Sequence, residues 1–345
     1  MVGYMKRKQK YMEEVEVTKK GKQEYVDGLE RLIAKRAKMS ERIRQSYIKD
    51  IFTEPEKYRR DLAEILGWPL TEKREQLCPQ VCTEKIVSEN DHTIYRMEFE
   101  ILDGLKMRGL FFRAENKQSA PLVIVQHGGY GTPEMIAGMY GGTGIYNDML
   151  QRVLQQGVHV FAPQLLLWKV QDYEVEYDLQ IIDARLKRVG SSITAVEIFG
   201  IQRILDFFEM QDYVTTFGMV GFSYGGFFTL FTSALDTRIQ SAISCSYFGK
   251  KDELRTVDWS WFSVANKFDD AEIACLVYPR RLCIQMGMND EFFNSKLSRE
   301  SFEKMKAYCQ DVGADWLEFI MFDGVHEFYQ RDIPIERLIK DINTP

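Results

Sequence analysis

Apolar and polar positions along the chain change period twice, and those changes mark its organisation. Residues 1 to about 66 are charge-rich and read as helical. Their apolar positions Tyr47, Ile48, Ile51, Phe52, Leu62, Ile65 and Leu66 suit packing on a main domain or on a second subunit, and Gly67-Trp68-Pro69 stops the helix. From Thr83 the period shortens toward two. Thr93 to Leu102 and Leu105 to Phe112 read as strands joined by Asp103-Gly104, a strong hairpin signal. The unbroken apolar run Ala120 to Gln126 reads as a buried strand.

Helical and strand patterns then alternate. A helix is expected over Tyr146 to Gln156 and a strand over Val158 to Ala162. A long amphipathic helix follows over Ser192 to Glu209, with Ser191-Ser192-Ile193-Thr194 supplying its cap. Strands are expected at Phe217 to Val220, Ile239 to Cys245, the run opening at Arg281, and Leu317 to Phe322, with a helix at about Ser295 to Cys309. Two stretches, about 163–192 and 247–271, break the rhythm and read as insertions. This alternation predicts an α/β fold with a mostly parallel sheet flanked by helices. We divide the chain into a helical N-terminal extension, 1–82, and a sheet-containing domain, 83–345.

Composition narrows the classes. The 45 basic and 51 acidic residues leave a net charge of -6, which argues against nucleic acid as the main partner. In the extension, Lys35, Arg36, Lys38, Arg42 and Arg44 form a basic excess. Acidic residues are interspersed, so a solvated helix face explains it better than a polyanion-binding arm. No apolar run approaches the length of a membrane span, and no secretory signal opens the sequence. A cytoplasmic protein with reduced thiols is expected, because the six cysteines include no CxxC pair. Neither HExxH nor paired CxxC is present, so no metal is expected; without GxGxxG, no dinucleotide cofactor is expected either.

The chemistry gathers around Gly221-Phe222-Ser223-Tyr224-Gly225-Gly226. An apolar strand precedes it and an apolar helix follows. Glycines two residues either side of a serine mark the turn in which strained backbone angles expose the hydroxyl at a helix N-terminus. A turn serine in another α/β fold is the bland reading. A serine hydroxyl becomes a useful nucleophile only beside an imidazole that accepts its proton. That imidazole needs a carboxylate to fix its tautomer. Of the four histidines, His92 lies in the hairpin, His159 opens an early strand and His127 follows the strand at 120–126; only His326 follows the last strand. Asp290 is the favoured acid over Glu291 and over Asp323, which is too near His326 in sequence.

These motifs resemble the α/β-hydrolase superfamily, in which the nucleophile, acid and histidine occur in the chain order of Ser223, Asp290 and His326. Within it the chain is similar to the dienelactone-hydrolase-like and acetyl-xylan-esterase-related group. That group has a helical extension, an HG-containing loop like His127-Gly128-Gly129-Tyr130-Gly131, and a final loop like Asp323-Gly324-Val325-His326-Glu327-Phe328. The resemblance implies a serine carboxylic-ester hydrolase that removes acetyl or other short acyl groups from a sugar or small molecule. It also implies an oxyanion hole made by backbone N–H groups of Gly129 or Tyr130 and of Tyr224.

The departure at Gln164-Leu165-Leu166-Leu167-Trp168, where many relatives carry a Gly- and Asp-containing loop, bears on substrate choice. Trp168, Trp259 and Trp261 are candidate substrate-binding residues, and packing in a lid or dimer contact is the alternative for the latter two. Three other readings stay open: a serine peptidase of the prolyl-oligopeptidase type, a non-catalytic binding protein on the same fold, and hydrolysis of a thioester or lactone. A small-molecule or saccharide ester is the expected partner, with a homodimer as a further expectation.

Overall fold

A computed structural model describes residues 12–72, 78–115, 117–167, 175–250 and 257–344. The described residues form one nine-stranded sheet with helices on both faces. Helices α1 (Val15–Tyr47) and α2 (Pro55–Leu66) come first, followed by β1 (Val81–Ser88), β2 (His92–Leu102) and β3 (Leu105–Ala114). Next are β4 (Ala120–Gln126), α3 (Pro133–Ile136), α4 (Met149–Leu154), β5 (His159–Pro163), α5 (Leu179–Arg188) and α6 (Ile193–Glu209). The remaining elements are β6 (Val214–Phe222), α7 (Tyr224–Leu235), β7 (Ile239–Cys245), α8 (Asp270–Cys275), β8 (Arg281–Gly287), α9 (Ser295–Tyr308), β9 (Leu317–Phe322) and α10 (Ile333–Asn343).

The spatial order is β1-β2-β3-β5-β4-β6-β7-β8-β9. β1, β2, β3 and β5 pair antiparallel, and every pair from β5 through β4 to β9 is parallel. Two helix-covered faces explain why the central strands are apolar throughout. Leu122 and Ile124 of β4 enter one core layer while Val123 and Val125 enter the other, the period-two alternation of a pleat. At the expected hairpin, Leu102 pairs with Leu105 and Gly104 takes φ +72°, which glycine adopts without strain. Among the described residues, no helix is long and apolar enough to cross a membrane.

One strand was not foreseen, and two expectations need correction. β1 carries almost no buried side chain, so no apolar alternation announced it. The helix foreseen from Tyr146 is only α4, because Asn147 and Asp148 sit in the left-handed region at φ 47° and 54°. Asn147 is held there by Glu327 Oε2 at 2.9 Å and Phe328 O at 2.6 Å, both distant in sequence. The N-terminal helical stretch is broken into two helices, and of the two alternatives for its apolar positions the structure shows packing on the main domain. Tyr58, Leu62 and Leu66 are at most 1% exposed there, and Ile48 and Ile51 join the same layer.

Candidate active site

The parallel strands β4, β6, β7, β8 and β9 end level with one another. Gln126 pairs with Gly221, Phe222 with Cys245, and Gly287 with Phe322. Loops leaving these ends therefore meet along one edge. β4 lies between β5 and β6, so the chain crosses to the other side of β4 after β5; such a reversal in strand order is where open α/β sheets hold ligands.

Ser223 stands in the turn between β6 and α7 at φ 57° and ψ -120°. Its N–H donates to Cys245 O at 2.8 Å, which anchors the turn to the neighbouring strand. A Cβ on Gly221 would collide with Gly225 O, and one on Gly225 would collide with the Gln126 and His127 carbonyls. Those contacts, more than backbone freedom, demand glycine at both flanks.

His326 and Asp290 complete a hydrogen-bonded line. His326 Nε2 lies 2.9 Å from Ser223 Oγ, and its Nδ1 lies 2.8 Å from Asp290 Oδ2. The other oxygen of Asp290 accepts the backbone N–H groups of Phe292 and Phe293 at 2.8 and 2.9 Å. An acceptor carboxylate at Nδ1 puts the imidazole proton there and leaves Nε2 to accept from the hydroxyl. Both loops are laced together. Met288 N donates to Phe322 O and Asn289 N to Gly324 O, each at 2.9 Å. A Cβ on Gly287 would strike Val325 O. The imidazole is packed among Phe222, Phe292 and Phe293, with ring centroids 4.9, 4.7 and 5.8 Å away. The two rival acids, Glu291 and Asp323, are exposed.

The remaining histidines are held in other ways. His127 is fully buried and its value is pushed down to about 4 by desolvation. Leu165 N–H donates to its Nε2 at 3.3 Å, so Nδ1 carries the proton and donates to Gly128 O at 2.9 Å. His127 thus ties the glycine loop to the 164–167 segment. His159 bridges Ala114 N and Tyr213 O, and burial lowers its value. His92 packs on Phe112 beside Asp91.

The loop after β4 lies directly on the serine turn: a Cβ on Gly128 would stand 3.3 Å from that of Ser223. Gly128 N–H is used internally, donating to the Tyr146 hydroxyl at 3.1 Å. Gly129 is buried beyond it and Tyr130 is exposed. Tyr224 opens α7 with its hydroxyl donating to Asp258 Oδ2 at 2.8 Å. Trp168 falls outside the described residues. Trp259 and Trp261 are each 7% exposed, inside the core. Trp259 lies 4.5 Å from the Tyr224 ring, and Trp261 stacks parallel to Phe227 at 6.4 Å.

A cavity of about 860 Å³ is lined by Tyr130 of the loop after β4, by Asp258, which takes the Tyr224 hydroxyl, and by residues including Leu167, Glu176, Tyr177 and Leu179; the three residues of the hydrogen-bonded line are not among its lining. Sequence reasoning missed Asp258, Tyr146 and the Phe292-Phe293 pair. Only the last had a local signal, two aromatics directly after the acid loop. It also missed Glu197 of α6, which takes the Leu166 N–H at 2.6 Å while desolvation raises its carboxyl well above the ordinary range.

The sequence profile of the dienelactone hydrolase family matches residues 107–336, a span holding the serine, the aspartate and the histidine. The chain belongs to the dienelactone hydrolase family. As a member of that family it is a hydrolase acting on carboxylic esters. The fold agrees across solved structures. A Bacteroides fragilis protein assigned as an acetyl xylan esterase aligns over 77% of this chain and 74% of its own, at 15% identity and TM-score 0.64. A glucuronoyl esterase from Solibacter usitatus aligns over 86% and 93%, at 15% identity and TM-score 0.59. A CE15 esterase from a marine bacterial metagenome aligns over 85% and 92%, at 14% identity and TM-score 0.60. At such identities the likeness is one of fold: this dienelactone hydrolase family member has the α/β-hydrolase sheet. No curated protein matches the sequence.

Proposed function

We propose that Ser223, His326 and Asp290 form the catalytic triad of a serine esterase that cleaves a short acyl group, such as acetyl, from a sugar or other small polar alcohol. One observation carries this reading: the unbroken line from Ser223 Oγ through the imidazole to Asp290, with links of 2.9 and 2.8 Å. In the first step His326 Nε2 takes the hydroxyl proton as Ser223 Oγ bonds to the ester carbonyl carbon. The Tyr224 N–H and that of Gly129 or Tyr130 are the donors assigned to the resulting oxyanion. His326 then gives its proton to the alcohol oxygen as the C–O bond breaks. A water gives its proton to His326 as its oxygen bonds to the acyl carbon; the bond to Ser223 Oγ then breaks, His326 returns the proton to that oxygen, and the acid leaves.

Support for a small hydroxylated alcohol comes from the cavity that Tyr130 and Asp258 line, whose tyrosines and carboxylates suit hydroxyl groups and whose volume fits a small ligand. The test is an ester panel that varies acyl length and alcohol and includes an aminoacyl anilide, run beside Ser223→Ala and Asp290→Asn. Ser223→Ala is expected to lower kcat by about 10⁵-fold and Asp290→Asn by about 10⁴-fold, with little change in thermal stability. Full turnover by Ser223→Ala would remove the triad reading, and preference for the anilide would make the protein a peptidase. If acetylated sugars were no better than simple aryl acetates, the assignment of the alcohol would go.

A further inference from the structure

Helix α1 is far longer than its attachment requires. Its C-terminal end is anchored by Arg44, a buried guanidinium that donates to Ala265 O and pairs with Asp269 and Glu272. Residues 15–39 are exposed throughout, apart from the half-buried Gly28. At 1.5 Å per residue this is an arm of about 37 Å. A helix in water draws most of its stability from packing an apolar face, and this arm packs none against the described residues.

Such a face is present. Tyr25, Leu29, Leu32, Met39 and Ile43, with Arg36 between Leu32 and Met39, recur at alternating spacings of four and three. That is the period of a two-helix seam. All five apolar side chains are 40–70% exposed, and Val26 and Ile33 widen the strip. The charge along α1 is polarised. Residues 24–30 carry Glu24, Asp27 and Glu30 and no basic side chain, whereas residues 31–38 carry Arg31, Lys35, Arg36 and Lys38 and no acidic one.

We propose that α1 pairs antiparallel with α1 of a second copy, making the protein a homodimer through this arm. A two-fold contact must be self-complementary, and adjoining acidic (24–30) and basic (31–38) stretches meet that condition only when the helix is reversed on itself about their boundary. With the axis passing between Glu30 and Arg31, Leu29 meets Leu32 of the second copy, twice, at the centre. Tyr25 then faces Arg36 of the second copy, a cation over an aromatic ring. Gly21 and Gly28 flank the seam on one side. Each costs about 1 kcal/mol inside a helix, an expense that a close approach would explain. Lys35 and Arg42 of the second copy pass over these glycines toward Glu24, which lies between them on the same helix face. A polyanion or an anionic membrane would attract the basic stretch and repel the acidic one at 24–30.

The test is light scattering of the full chain at tens of micromolar, with a mass twice the 40.3 kDa of one chain expected. Leu29→Glu with Leu32→Glu is expected to give a monomer of unchanged melting temperature, since both side chains are exposed in the single chain. Glu24→Lys should weaken association roughly tenfold by setting like charges together at two symmetric places. Adding Lys35→Glu and Arg42→Glu to it should restore the dimer. A monomeric wild type, or a dimer that survives the leucine substitutions, overturns the proposal. If the compensating charges fail to restore association, the antiparallel pairing is wrong.

Discussion

Glu197 shows how one side chain can set the pH response. It is buried in α6, takes a single backbone N–H and has one oxygen with no hydrogen-bond partner among the described residues. Burial raises its value, so above about pH 4.5 the unfolded chain releases this proton while the native protein keeps it. The native state is therefore penalised as pH rises through that window, by at most about 1.4 kcal/mol per pH unit. Glu197→Gln keeps an acceptor for Leu166 N–H and removes the titration. The variant is expected to melt above the parent at pH 8, with the gap closing toward pH 5, as followed by calorimetry. A gap that stays constant with pH would mean that Glu197 does not hold its proton. His127 acts with the opposite sign: its value near 4 costs stability as pH falls from about 6.5 to 4, where only the unfolded imidazole gains a proton.

Elements depend on partners as well as on their own sequence. Ser192 caps α6 through Ala195 N at 3.1 Å, as its position before the amphipathic run announced. The same hydroxyl donates to Leu66 O at 2.7 Å, and that link to α2 had no local signal. Arg59 of α2 does more. Its Nε donates to Ala234 O at 2.9 Å and its Nη2 to Leu276 O at 2.8 Å, joining the C-terminal carbonyls of α7 and α8 where a cation is favoured. Arg59→Ala is expected to cost about 3 kcal/mol in urea unfolding, read as a lower midpoint at constant slope. Arg59→Lys should recover less than half, because an ammonium lacks the planar fork that reaches both carbonyls. β1 was unreadable for a related reason: an exposed edge strand is specified by its pairing with β2, and pairing leaves no apolar alternation.

At the scale of the whole molecule, the N-terminal region has two roles with different energetics. Residues 12–39 are exposed apart from the half-buried Gly28, so a chain with residues 12–39 deleted should keep its melting temperature and its ester turnover. Removing residues 1–66 strips Tyr58, Leu62 and Leu66 from the core. At about 1.5–3 kcal/mol for each buried side chain, that loss rivals the net stability of a typical domain. The longer deletion is expected to yield aggregated protein, checked by soluble expression and circular dichroism. Recovery of a folded, active protein from it would show that α2 is dispensable.

Local sequence alone determined the strand–turn–helix around Ser223, because Gly221 and Gly225 answer to contacts within a few residues of the serine and to one neighbouring strand. It also determined the apolar core strands and most helix starts, which follow from period and caps. Tertiary structure alone decided between substrate contact and packing for Trp259 and Trp261, brought the favoured Asp290 and Ser223 to the two nitrogens of His326, and tied His127 to the 164–167 segment. Those outcomes depend on parallel register and on loop-to-loop hydrogen bonds between residues far apart in the chain, and a period along the chain carries no record of either.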